Sequence, residues 1–531
     1  MTLLCPSWRT FLSLLVLPSI VLAYKWPNPQ LDELESQRYD RMGYNARALS
    51  EGVIPCDQFL LGETVGRANA ADWLRTAYHD MATHNVTSGT GGLDGSIRFE
   101  QDQPANVGNG FALTVLLLRG EANRYISLSD ILALGAITAV EQCGGPKVNF
   151  RGGRVDATKA DAPGVPEPQQ DLKTHTEIFA RQGFTQAEMI GLVACGHTFG
   201  GVQHQLFPNI VTNDTRGVNN TSGNVHFDST FITFDNNIAT EYLDGTTHNP
   251  LVVGPDETNS DKRIFSSDGN RTMNSFRNQR VFFKTCADLF ARMVDTVPRG
   301  VQLTQVIEPM PVKPQGVHLV YMNDGRIRMH GDVRLWNTHE DPERSAEVCW
   351  LDRLGHECDG CCWQLGHTSD QVSTFVADRK ETTSVWYSFN QTTRYPILDA
   401  NSSVSKFWFE IDEGHGKRVE DQEGHRYALQ DVVMLADSSC REDLNLTLGI
   451  AVRKGIKPTR LYLEAESIID DLPVVRTINV PMTTPTSRNG LYNVYTFSDS
   501  TLFREWNIVL EVGNKKYATT NLQRHEFPDC A

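Results

Sequence analysis

Apolar residues recur with the helical period over roughly the first three hundred positions, and with the strand period over the rest. In Ala70–Asp80, Gly110–Ala122 and the run LSDILALGAITAVEQC the apolar positions fall three and four apart, which makes one face of a helix. Ser127 and Asp130 form a capping pair ahead of the last of these. Gln170–Arg181 is amphipathic, and Thr185 with Glu188 makes a capping box that opens a helix ending at His197. Phe276–Val297 reads as one long helix stopped by Pro298. Residues 200–270 show little periodicity and much Asn, Thr, Gly and Asp.

The pattern changes at IEPMPVKPQG, where Pro309, Pro311 and Pro314 mark a linker over 306–316. Beyond it, HLVYMNDGRIRMHGDVRLW alternates on both sides of Asn323-Asp324-Gly325, a hairpin signal. TTSVWYSF, SKFWFEID, DVVMLAD, LTLGIAVRK, TRLYLEAES, LYNVYTFS and WNIVLEVGNKKYAT add further strands at near-regular spacing. The expected architecture is a mainly α domain over 24–305, with an exposed lead-in over 24–55 that holds one short helix. An all-β, sandwich-like domain with several cysteines follows over 317–531.

Length sharpens this: 531 residues are too many for one ordinary core. A net charge of −16 argues against nucleic acid or an anionic membrane as partner, since binding phosphate needs basic clusters. Residues 1–23 carry one Arg, a short apolar run and Val21-Leu22-Ala23, the pattern of a secretory signal peptide; no other stretch is apolar for long enough to span a bilayer. The expected location is therefore extracellular. Of eleven cysteines, Cys5 lies in the leader. Cys56, Cys143, Cys195 and Cys286 precede the linker, and Cys349, Cys358, Cys361, Cys362, Cys440 and Cys530 follow it, so each domain can pair internally. HECDGCC, 356–362, offers zinc ligands as well, but export favours disulfides. Glycosylation sequons stand at Asn85, Asn213, Asn219, Asn220, Asn270, Asn390, Asn401 and Asn445.

The chemistry concentrates in LRTAYHDMATHNVTSGTGGLDGSIRFE, 74–100. Arg75 and His79 stand at i and i+4 and share a helix face. An imidazole moves protons near neutral pH, and a guanidinium stabilises developing negative charge. Behind them Asp80, Gly92, Asp94 and Ser96 supply hard oxygens suited to calcium. A second anchor, EMIGLVACGHTFGG, presents His197 at the end of an apolar helix. Two such histidines on facing helices can sandwich a flat cofactor.

Residues 57–300 resemble the plant–fungal haem peroxidase superfamily, nearest its secreted fungal members, with several motifs in the family's order. The resemblance implies haem b, one per chain, and hydrogen peroxide as substrate. It implies His79 as the distal acid–base, Arg75 as charge stabiliser and Asn106, in QPANVGNG, as the acceptor that orients His79. Tyr78 fills the aromatic position of the distal motif, against the haem. His197 becomes the axial iron ligand. Its carboxylate partner is expected about sixty residues on, at Asp268 in RIFSSDGNRTM with Asp261 as fallback, and a buried Asp268 would make a glycan at Asn270 doubtful. GGRVDA, 152–157, resembles the loop near the haem edge. Two calcium ions are implied, a distal one on Asp80, Gly92, Asp94 and Ser96, and a proximal one on Thr198, Asp228, Thr230, Thr233 and Asp235.

The chain departs from the family at informative places. No Trp occurs between Trp73 and Trp336, so a proximal tryptophan radical site is missing. At the three manganese-binding positions stand Ala68, Asp72 and Gln203, and the ascorbate-binding position holds Leu206 in place of Arg. The expected enzyme is a secreted peroxidase oxidising phenols or similar small aromatics by one-electron steps at the haem edge. The β-rich region suggests polysaccharide binding through Trp386 or Trp408. The rival reading is a surface or carbohydrate-binding protein whose peroxidase-like half is inert.

Overall fold

The computed structural model describes residues 24–41, 49–61, 66–213, 223–368, 373–389, 395–443, 445–482, 485, 490–500, 505–523 and 527–530. The leader and the sequons at Asn219, Asn220 and Asn390 lie outside them. The first part is helical and the second is built of mainly antiparallel sheets. Among the described residues no helix is long and apolar enough to cross a membrane.

The capped segments fold where their caps point. Helix Leu128–Gln142 starts at Ser127, whose side chain accepts from Asp130 N–H. Helix Gln186–Gly196 starts at a complete Thr185–Glu188 capping box, with His197 as its C-cap. The helix Asn69–Met81 packs on Leu128–Gln142 through Trp73, Leu74 and Ala77, all buried. Disulfides Cys56–Cys143 and Cys195–Cys286 tie these elements to their neighbours. The long helix begins later than the pattern predicts, at Gln279, because Asn278 caps it and Arg271–Ser275 forms a separate short helix ahead of it.

The β region is a three-layer stack rather than a plain sandwich. A nine-stranded sheet carries a four-stranded and a five-stranded sheet on opposite faces. On the strand Val433–Glu442, Val433 and Leu435 enter one core, and Met434 and Ala436 enter the other. Burial on both faces explains the unbroken apolar run VVMLA. One pairing in the large sheet is parallel, Leu435 opposite Val320. Trp386 is fully buried. All six cysteines here pair within the region, as Cys349–Cys362, Cys358–Cys361 and Cys440–Cys530.

Two expectations fail at the junction. The expected linker 306–316 runs straight into the strand Val312–Tyr321, and the expected exposed lead-in forms the buried helix Pro29–Tyr39. The reason is charge complementarity that periodicity does not report. Lys313 and Arg334, both fully buried, meet Asp32 and Glu35 of that helix and its C-cap Asp40: Lys313 Nζ lies 3.1 Å from Asp32, and Arg334 Nη1 2.7 Å from Asp40. Arg334 also bonds Glu35. Farther along, Arg124 reaches Glu464 Oε2 at 3.1 Å, joining the helical part to the strand Arg460–Ile469.

Candidate active site

His79 sits in the last turn of Asn69–Met81 and is 8% exposed. Its Nδ1 lies 2.7 Å from Asn106 Oδ1. Asn106 Nδ2 donates to Glu100 O at 2.9 Å, which fixes the amide with its oxygen toward the ring. Nδ1 therefore carries the proton and donates, and Nε2 keeps its lone pair. Burial, and then the charge of Arg75, push the His79 pKa down to about 3, so the ring is neutral at physiological pH. Phe111 supports both groups: its ring lies 4.7 Å from that of His79 and 4.3 Å beneath the Arg75 guanidinium. Burial lowers the Arg75 pKa to about 10, which still leaves it charged. Tyr78 belongs to the cavity wall, its ring stacked on Phe179 at 6.2 Å, and burial raises its phenol well above the usual range.

His197 Nδ1 lies 2.8 Å from Asp261 Oδ2, and the same oxygen accepts from Asn249 Nδ2 at 2.7 Å. Asp261 is 1% exposed, in the first turn of Ser260–Ser266. Asp268 is not the partner of His197. It lies beyond the end of that helix and caps the next, accepting from Arg271 N (2.9 Å), Thr272 N (3.0 Å) and Thr272 Oγ1 (2.6 Å). Asp268 and Asn270 are both only partly buried, so Asp268 gives no reason to doubt a glycan at Asn270. Phe227 stacks on the His197 ring at 4.2 Å and 11°. Asn249 and Phe227 are absent from the sequence reading. Asn249-Pro250 is a legible helix start, but nothing in it reveals the second bond to Asp261.

Both imidazoles line one cavity of about 370 Å³, together with Arg75, Pro104, Val107, Val193, Phe227 and Asp261. With each Nδ1 engaged, each ring offers Nε2. The donor set fits haem: one imidazole held by a buried carboxylate, and a neutral base beside a guanidinium. Tyr78, Asp72, Gln203 and Leu206 also line the cavity. Asp72 is bonded to Arg67 at 2.6 Å, which neutralises the one acid at the three manganese positions. GGRVDA is structural: Gly153 N and Arg154 N–H donate to Asp130, and Arg154 Nη2 binds Val294 O at 2.6 Å.

The oxygen-rich loops make these contacts. Asp80, fully buried, accepts from Asp94 N, Gly95 N and Ile97 N, with Ser96 Oγ at 3.4 Å. Gly92 lies in the same turn at φ +127, where a Cβ would strike Thr296 O. Burial and neighbouring acids raise Asp94 to about 7. On the other side, Thr198 Oγ1 donates to Asp235 O (2.9 Å), Thr230 Oγ1 to Asp235 Oδ1 (3.0 Å), and Thr233 N to Thr230 O (2.6 Å). Asp228 Oδ2 is buried without a hydrogen bond, and burial with the nearby Asp235 charge raises its pKa to about 8. Such carboxylates suit a hard cation.

Residues 59–288 match the family model described as peroxidase. A WSC domain-containing protein of Arthroderma benhamiae is 35% identical over 426 residues, 78% of this chain and 55% of that protein. Peroxisomal L-ascorbate peroxidase 5 of Arabidopsis thaliana is 34% identical over 129 residues, 24% of this chain and 46% of its own. Mitochondrial cytochrome c peroxidase of Yarrowia lipolytica is 30% identical over 156 residues, 27% of this chain and 46% of its own. The chain spans about half the length of these relatives.

Proposed function

We propose that the peroxidase-family domain, residues 59–288, works as a haem b peroxidase that reduces hydrogen peroxide and oxidises small phenolic or similar aromatic donors in one-electron steps. The observation that carries the proposal is the single cavity walled by His79 and His197, each with its Nδ1 engaged. Bound haem would supply the electrons that break the peroxide O–O bond.

The residues divide the remaining work. His197 would hold the haem iron through Nε2, and Asp261 strengthens that donor by accepting a hydrogen bond from Nδ1–H. His79 Nε2 takes a proton from peroxide and returns it to the departing oxygen. Asn106 holds the tautomer that makes this possible. Arg75 stabilises the negative charge that grows as the oxygens separate. Tyr78 packs as part of the wall. Calcium in the loops that follow His79 and His197 would rigidify both histidines.

The names of the Arabidopsis and Yarrowia relatives point to ascorbate and cytochrome c as donors. Leu206 in the cavity wall offers no cation for ascorbate, and Ala68 and Gln203 leave manganese short of acids, which supports aromatic donors. We further propose that the protein is exported and glycosylated, in keeping with its leader pattern, sequons and five disulfides, and that its β region binds polysaccharide, with Trp408 the remaining aromatic candidate. A peroxide-dependent dye assay with phenol, ascorbate, reduced cytochrome c and Mn²⁺ as alternative donors tests the reading. Phenol should give the fastest turnover, and peroxide-independent or absent oxidation would refute it.

A further inference from the structure

The five disulfides differ in what holds them. Cys56–Cys143, Cys195–Cys286 and Cys440–Cys530 span 87, 91 and 90 residues. Closing such long rings constrains the unfolded chain strongly, so their reduction is coupled to loss of the fold. Cys349–Cys362 spans 13 residues across two paired strands, and Cys349 is fully buried. Cys358–Cys361 spans only 3. So small a ring removes little entropy from the unfolded chain and adds little to stability, so it can open while the rest stays folded.

The ring is held by a turn of its own. Cys361 N donates to Cys358 O at 3.3 Å, and Gly360 takes φ +77, a conformation that favours glycine at that position. Trp350 N donates to Cys361 O at 2.9 Å and anchors the turn to the sheet. Both cysteines are partly exposed, Glu357, Asp359 and Gly360 between and beside them are exposed, and Leu354 nearby is 70% exposed. The turn keeps the two sulfurs neighbours whether or not they are bonded.

From this we infer that Cys358–Cys361 is a surface thiol–disulfide exchange site for external dithiols, independent of the peroxide chemistry. A thiolate of the dithiol attacks one sulfur, the Cys358–Cys361 bond breaks, and the displaced thiolate takes up a proton. The dithiol's second sulfur then attacks the mixed disulfide and releases the other cysteine. Two electrons and two protons reach the pair, the reductant leaves as a cyclic disulfide, and an external disulfide reverses the exchange.

The test uses the full-length folded chain, dithiothreitol as the dithiol, pulsed alkylation and peptide mapping. Cys358 and Cys361 should be labelled at least ~10-fold faster than the other eight cysteines, with near-ultraviolet circular dichroism unchanged. Oxidised glutathione should then restore the bond. The double variant C358S/C361S should fold and lose the fast phase. Fast labelling at Cys349/Cys362 or Cys440/Cys530, a fast phase that survives in the double variant, or no labelling before the fold melts would each overturn the inference.

Discussion

The imidazole of His197 meets the carboxylate of Asp261 at 2.8 Å, on a side chain that is only 1% exposed. Removing that charge while keeping the shape should therefore cost function rather than the fold. Asp261→Asn is expected to bring peroxide turnover or haem affinity down by roughly 10–100-fold. Asp268→Asn, which removes a charge but keeps an acceptor at the helix start, should cost about 1 kcal/mol of stability or less and leave turnover intact. Steady-state kinetics with thermal melts on both variants decide it; equal losses of turnover would contradict the assignment.

In the proposed mechanism the neutral form of His79 is the working form, and burial, which lowers its pKa to about 3, keeps it neutral far into acid. Peroxide reaction rates should stay flat from neutral pH downward and fall only on an acid limb close to that value. Because Arg75 contributes to the depression, Arg75→Leu should move the limb upward, toward an ordinary histidine. His79→Ala should slow the reaction by about 10²–10⁴-fold. Stopped-flow pH profiles supply the check. The sign for stability runs the same way: the folded ring resists the proton that the unfolded ring accepts, so stability falls as pH drops below the unfolded pKa toward 3.

Thr198 follows His197 directly and hydrogen-bonds the Asp235 carbonyl, which ties the oxygen-rich loop to the His197 position. Chelating calcium, or substituting Asp228→Ala, should lower the melting temperature and broaden the haem absorption band. Calcium at about 100 times its Kd would restore roughly 2.7 kcal/mol. A melt insensitive to both chelator and added calcium would show that the loops hold no ion.

Lys313 is fully buried among Asp32, Glu35 and Asp40. Burial raises the pKa of Asp32 and Asp40, and the Lys313 and Arg334 charges work against that rise. Lys313→Met leaves those carboxylates short of a partner and should destabilise the chain by about 3–5 kcal/mol. Calorimetry should show the β region and the helical region melting apart. An unchanged single transition would deny the cluster its role in joining them.

Local signals suffice wherever a short stretch decides the outcome: the capping box before His197 and the i and i+4 placement of Arg75 and His79 each act within about one turn. Choices between distant candidates were not legible. Asp261 and Asp268 lie seven residues apart in similar company, and only the packing of Ser260–Ser266 beneath His197 separates them. The buried helix Pro29–Tyr39 looks polar because its partners, Lys313 and Arg334, lie some three hundred residues away in the chain. The three-layer β stack was hidden for a similar reason, since an apolar run tells of burial on both faces without naming what covers them.

The most direct test of the account is a haem titration of the folded chain followed by absorption and electron paramagnetic resonance, with His197→Ala in parallel. One haem per chain, a Soret band, and the spectrum of a single histidine-ligated iron that His197→Ala abolishes are the predicted results. A folded chain that binds no haem, or a His197→Ala variant whose haem spectrum is unchanged, would contradict it.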